Sequence, residues 1–269
     1  MSPTLTSTLI GLIILSAAFF LMERFLGKGP APLMRKGWLT DVCYFFFTPL
    51  VAKSLSKAMI LLPASLLILC GVATAEDLQN RSYSGFGPLA AQPLWLQAVE
   101  IYALADFLGY WSHRLFHGGR WWSFHAVHHS SEDLDWLSSV RVHPVNDLVS
   151  KFVQVTPLLL LGFNPCVTLS TAPFFTLYAI FLHARVDWDF GPLRAVIATP
   201  VFHRWHHSRQ REAWDKNFAG LFPFWDILFG TYFMPKGRMP EDFGTTDEMP
   251  KHLPGQLWQP IRRLWTRRG

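Results

Sequence analysis

Ten of the eleven histidines lie between His113 and His207, and eight of these form three tight clusters. They are His113-Arg-Leu-Phe-His117, His125-Ala-Val-His128-His129 and His203-Arg-Trp-His206-His207. A neutral imidazole nitrogen is the commonest side-chain metal donor at physiological pH. Histidines three or four positions apart on a helix share a side, with Cβ atoms about 5–6 Å apart. Each cluster therefore offers nitrogens to one ion or to two neighbouring ions. A lone HxxxH is more often a pair of unrelated surface or capping histidines. At this histidine content a single HxxHH arises by chance in roughly one chain in fifty of this size, and two of them plus an HxxxH far less often. The three clusters read as a metal site.

Only 16% of the residues are charged, against about 25% in a typical soluble domain. Leu5–Met22 is uncharged throughout and long enough to cross a bilayer. Met1-Ser-Pro-Thr lacks the basic start of a cleaved signal, and Glu23-Arg24 closes the segment, so it reads as an uncleaved anchor. Leu39–Val72 is mostly apolar but holds Asp41, Pro49, Lys53, Lys57 and Pro63. It is too long for one straight crossing, and reads first as a single kinked helix with an interfacial portion and second as two short segments. Leu94–Trp111 runs into the first histidine cluster despite Glu100 and Asp106. Val145–Leu161 and Val167–Leu182 flank Gly162-Phe-Asn-Pro165 and read as a helical hairpin that leaves from His143 and returns to His183. The expected fold is an all-α integral membrane helical bundle of about four to five membrane helices with a histidine-rich cap.

Arg24, Lys28, Arg35 and Lys36 crowd the first loop, and 13 of the 24 Lys and Arg residues follow His183. The segment Ala73–Gln92 holds only Arg81. The positive-inside rule then places the first loop, the histidine clusters and the C-terminal region in the cytoplasm. A net charge of +5 matches an anionic inner leaflet and calls for no nucleic acid. Cys43, Cys70 and Cys166 sit in apolar stretches without CxxC spacing and read as small buried residues. No flavin, nicotinamide or haem-attachment motif is present, so any electrons come from another protein. The chain reads as a single domain, with a membrane anchor region at 1–92, a histidine-box region at 93–235 and a basic tail at 236–269.

Three pieces carry a resemblance to a known family: Asp106-Phe-Leu-Gly-Tyr-Trp-Ser-His113-Arg-Leu-Phe-His117, Phe124-His-Ala-Val-His-His129-Ser-Ser and Phe202-His-Arg-Trp-His-His207-Ser. The runs Asp215-Lys-Asn217-Phe-Ala-Gly and Trp225-Asp-Ile-Leu-Phe-Gly-Thr231 extend it. From Asp106 to Phe233 the chain resembles the fatty acid hydroxylase/sterol desaturase superfamily of membrane di-iron oxygenases. The resemblance implies that His113, His117, His125, His128, His129, His203, His206 and His207 are ligands of a dinuclear centre. His183 resembles an additional hairpin histidine of that family. Where some branches place a further histidine this chain has Asp187, open between ligand, supporting partner and no role. His143 is open between ligand and hydrogen-bonding support.

The resemblance implies an O2-dependent lipid monooxygenase with two iron ions. It would hydroxylate a C–H bond of a sterol, fatty acyl or other lipid and draw electrons from a ferredoxin or from a cytochrome b5-like protein with its reductase. Desaturation by the same centre is the nearest alternative. A di-zinc membrane hydrolase and a non-catalytic metal-binding protein are others, since imidazole suits iron and zinc alike. Asp106 lies two helical turns before His113 on the same face and is expected to orient a ligand imidazole. Asn217 reads equally as a support for a ligand or as a turn residue. Glu132, Asp133 and Asp135 read as a solvated acidic loop, and Lys151 as a cation snorkelling to the interface. The aromatic and basic run Trp258–Arg268 suits an interfacial helix.

Overall fold

The computed structural model of the chain describes residues 3–27, 34–80 and 82–266. Lys28, Arg81, Arg267 and Arg268, which enter the charge reading, lie outside the described residues. Among the described residues there is no strand, only an isolated bridge between Ser208 and Phe243. Helix α1 (Pro3–Leu26) is apolar around its whole circumference. One stripe, Leu12, Leu15, Phe19 and Met22, packs on Trp136, Ile180 and Val186. Phe19 stacks on Trp136 at 5.5 Å. Leu9, Ile10, Ile13, Ile14 and Leu21 remain exposed. An apolar helix with one narrow stripe covered by protein is suited to hydrocarbon on its other sides.

Helix α2 (Trp38–Phe47) continues through a π-helical turn at Thr48–Ala52 into α3 (Lys53–Leu69). The backbone is thus one interrupted helix, the first of the two readings of Leu39–Val72. Pro49 falls in the π turn, where the wider coil relieves its clash with the preceding turn. Helix α4 (Leu94–Phe116) lies against a hairpin of α5 (Pro144–Leu160) and α6 (Pro165–His183). Ile101 and Ala105 of α4 meet Leu158 and Phe163. Asn164 caps α6 by accepting from Cys166 N at 2.9 Å, with Pro165 as the first helical residue. Gly162 turns at φ 92°, where a Cβ would come within 2.2 Å of the Phe86 carbonyl oxygen.

Among the described residues, two helical stretches are long and apolar enough to cross a membrane, Thr4–Leu26 and Pro165–His183. α4 carries Gln97, Glu100 and Asp106, and α5 is 17 residues long with Asp147 and Lys151 on it. These polar and charged residues lower the apolar signal of both helices. Helices α7 (Pro200–His206) and α8 (Leu253–Thr266) follow the hairpin. α8 buries Gln256 and Pro260 and leaves Trp258 and Trp265 exposed.

A buried ion network ties the first loop to the cap. Asp41 accepts from Arg35 Nη2 and from Arg141 Nε, each at 2.6 Å, and Arg35 also reaches Asp135. Asp135 caps the short helix Trp136–Val140 by accepting from Ser138 N at 3.0 Å. This corrects the solvated-loop reading for Asp135, whose charge is neutralised by an arginine a hundred positions away. Glu23 is buried and accepts from Arg185 N at 3.0 Å. Lys151 pairs with Asp147 at 2.7 Å, one turn back on α5. The three cysteines are free and exposed, against the expectation of burial, because their apolar stretches face outward.

Candidate metal centre

Nine histidines converge in two adjacent groups. His113, His117, His125, His129 and His206 form one, and His128, His183, His203 and His207 the other, with donor atoms in each group within 4.8 Å of one another. The His129 ring stacks on that of His207 at 4.3 Å, so the groups share a wall.

Successive residues of a helix point about 100° apart, whereas i and i+4 nearly coincide. The two HxxHH boxes divide on that rule. His125 and His129 serve the five-histidine group while His128 serves the other; His203 and His207 serve the four-histidine group while His206 crosses over. The third box closes α7, with His203 and His206 inside the helix and His207 as its C-cap. The second is not one helix: a turn at Trp122–His125 is followed by a 3-10 turn at His128–Ser130. α4 contributes His113 and, at its C-cap, His117; α6 ends on His183.

Backbone carbonyls set the tautomers. A carbonyl only accepts, so the Nδ1 facing it carries the proton and Nε2 keeps its lone pair. His113 Nδ1 donates to Phe218 O at 2.8 Å, His128 to Arg141 O at 3.2 Å, His183 to Ala179 O at 2.7 Å and His206 to Lys216 O at 2.7 Å. His125 Nδ1 donates to Asn146 Oδ1 at 2.6 Å, and His117 Nδ1 meets the Asp215 carboxylate at 3.1 Å. The freed Nε2 atoms of His113 and His125 then face each other at 3.0 Å, and those of His128 and His183 at 3.2 Å. Two lone pairs at that distance repel unless a cation lies between them. Cis ligands at metal–nitrogen distances of about 2.1 Å would stand about 3.0 Å apart. His117 Nε2 and His206 Nε2 are buried without a hydrogen-bond partner among the described residues. The residues fit a pair of metal ions.

Burial first, then the neighbouring imidazoles, holds His125, His129, His206 and His207 well below the ordinary imidazole range. They are neutral at physiological pH, the form a metal needs. The hydrogen bond from His117 draws the Asp215 carboxyl below its ordinary value.

The loop after α7 delivers several of these supports. Asp215 and Asn217 take left-handed φ of 54° and 59°, which Asn and Asp tolerate better than most residues. That turn presents Asp215 to His117, Lys216 O to His206 and Phe218 O to His113. Asn217 is a turn residue: it donates to the Phe202 and Phe233 carbonyls and accepts from Phe233 N. Two buried aspartates cradle the next five N–H groups. Asp226 accepts from Phe218 and Ala219, and Asp106 from Gly220, Leu221 and Phe222.

Asp106 therefore holds the loop that orients His113, with no hydrogen bond to an imidazole. His143 stands outside both groups; its Nδ1 accepts from Val145 N and its Nε2 donates to Leu257 O. Asp187 also lies outside them and meets Arg204 at 3.3 Å. Sequence reasoning assigned no support role to Asn146, Asp215, Asp226 or Arg141. The left-handed preference of Asp-Lys-Asn was the signal available for Asp215.

Two cavities meet the centre. One of about 420 Å³ lies among α4, α5 and α6 and reaches His113, His125, His128, His183 and His203. The other, about 220 Å³, opens in the cap beside His117, His129 and His206.

The fatty acid hydroxylase family model matches residues 98–231. The chain is 34% identical to ornithine lipid hydroxylase of Rhizobium tropici over 71% of its length and 58% of that protein. It is 38% identical to human alkylglycerol monooxygenase over 47% of its length and 28% of that protein. A very-long-chain aldehyde decarbonylase of rice is 29% identical over 52% of this chain and 25% of that protein. The chain thus spans less than two thirds of each. No solved structure matches it.

Proposed function

The chain belongs to the fatty acid hydroxylase superfamily, and from that premise we propose that it is a multi-pass membrane, O2-dependent lipid monooxygenase with a di-iron centre. The observation that carries this reading is the convergence of nine histidines, four of them with tautomers fixed by backbone carbonyls, beside helices of membrane length. Iron, when bound, supplies the oxidant that a redox-inert ion does not, drawing on O2 and two electrons to break a C–H bond. His113, His117, His125, His129 and His206 would hold one ion, and His128, His183, His203 and His207 the other.

The remaining work falls to the chain. Phe218, Arg141, Ala179 and Lys216 hold four imidazoles in the metal-binding tautomer through their carbonyls. Phe175, Ile180 and Leu182 line the larger cavity, keep water from the reacting carbon and let a lipid enter sideways between helices. The cap cavity gives a separate electron-donor protein, a ferredoxin or a cytochrome b5-like carrier, its approach.

Protein purified without chelators and supplied with ferrous iron is expected to hold about two iron ions per chain. It is expected to consume O2 and reduced donor when lipid is present, with one oxygen gained in the product. A product that loses two hydrogens and gains no oxygen assigns desaturation. Turnover with zinc alone and without O2 replaces the oxygenase with a hydrolase.

The same reading sets the histidine cap in the cytoplasm. In a background lacking Cys43, Cys70 and Cys166, Gln79→Cys is expected to react with an impermeant thiol reagent from outside intact cells. Arg211→Cys, beside Gln210, is expected to react only after permeabilisation. External labelling at Arg211→Cys overturns the orientation and the electron supply that depends on it.

A further inference from the structure

The larger cavity is mainly apolar, but its lining includes one row of polar side chains. Along one wall, α5 sets Asn146, Ser150 and Gln154 at intervals of four, a single row of the helix. The facing wall from α6 is mainly apolar, with Phe175, Ala179, Ile180 and Leu182 beside Thr176 and the metal-site His183. Polar side chains on a helix read as membrane-embedded are costly and mark substrate paths. Asn146 is already committed, through Oδ1 to His125 and through Nδ2 to Ser150 at 3.2 Å. Ser150 Oγ accepts that bond and keeps its own proton to donate. The Gln154 amide lies against Gly109, where a Cβ would come within 2.6 Å of Nε2. Charge on the walls is largely used up: Lys151 pairs with Asp147 at 2.7 Å, and Asp106 accepts from three backbone N–H groups.

Resting on the lipid-oxygenase reading, we propose that Ser150 and Gln154 recognise an uncharged hydrogen-bonding group of the substrate, a hydroxyl, ester or amide. Eight residues of helix separate Asn146, at the histidines, from Gln154, a rise of about 12 Å. The oxidised carbon and the polar group of one lipid therefore lie within about that distance of each other.

The full chain in detergent, loaded with zinc so that no oxidation intervenes, is titrated with hexadecanol and hexadecane by equilibrium dialysis. The wild type is expected to prefer hexadecanol by about tenfold or more, the size of one or two hydrogen bonds. Gln154→Leu is expected to lose that preference with unchanged metal content and hexadecane binding. Gly109→Ala, whose methyl displaces the Gln154 amide, is expected to reproduce the loss with Gln154 intact. Equal wild-type affinity for hexadecanol and hexadecane, or a preference retained in both variants, overturns the proposal. Since only binding is read, a wild type that shows the preference but forms no O2-dependent product fails as an oxygenase alone. One that hydroxylates lipid without the preference fails here alone.

Discussion

Alanine at His206 and alanine at His207 are expected to empty different metal sites, although the two residues are neighbours. His206 lies with His113, His117, His125 and His129, whereas His207 lies with His128, His183 and His203. Each single variant is expected to fall from about two metal ions per chain to about one, with turnover reduced by at least about 100-fold. His206→Ala combined with His207→Ala is expected to lose both ions. His206→Ala combined with His129→Ala removes two ligands of one group and is expected to retain the other ion. His252 is exposed and outside both groups, so His252→Ala is expected to leave metal content and turnover unchanged. Metal analysis per chain, alongside an activity assay, decides the matter. Retention of both ions and full activity in a His129→Ala, His207→Ala protein would falsify the dinuclear assignment.

Arg141→Met is expected to cost about 2–3 kcal/mol of stability, the size of a lost charge-assisted hydrogen bond, because Asp41 keeps Arg35 as a partner. Asp41 is fully buried, and Arg141 is one of its two arginine partners. Arg141 also donates to Ser130 Oγ and to Gly37 O, so its loss frees the first loop from the second histidine box. Its carbonyl orients His128, and the four-histidine group is expected to lose metal before the other. Adding Asp41→Asn removes the buried carboxylate left with a single arginine, and Arg35 keeps Asp135 as a partner. That double variant is expected to recover part of the loss. Thermal unfolding in detergent checks both; an Arg141→Met protein within about 1 kcal/mol of the wild type would mean that the network contributes little.

Histidine spacing alone announced a metal site, because positions three and four apart share a helix side whatever the rest of the fold does. Uncharged length alone marked the first helix, and Gly162-Phe-Asn-Pro165 marked the hairpin turn, which folds as expected between α5 and α6. These are local properties, carried by residues close in the chain. The five-and-four division was not legible. It depends on which direction each box faces once α4, α6 and α7 meet, and on the second box breaking into two short turns. Asp106 had the right face and the wrong partner: seven residues before His113, it reaches across to the backbone of Gly220, Leu221 and Phe222. The cysteines misled for a related reason, since an apolar stretch facing outward looks the same in sequence as one facing a core. Four imidazoles take their tautomer from the carbonyls of Phe218, Arg141, Ala179 and Lys216, and every residue type carries a carbonyl. Sequence by itself determined the donor chemistry and the helices that carry it; only the tertiary structure decided which carbonyl meets which ring, because that pairing is written in backbone position and leaves no mark on side-chain identity.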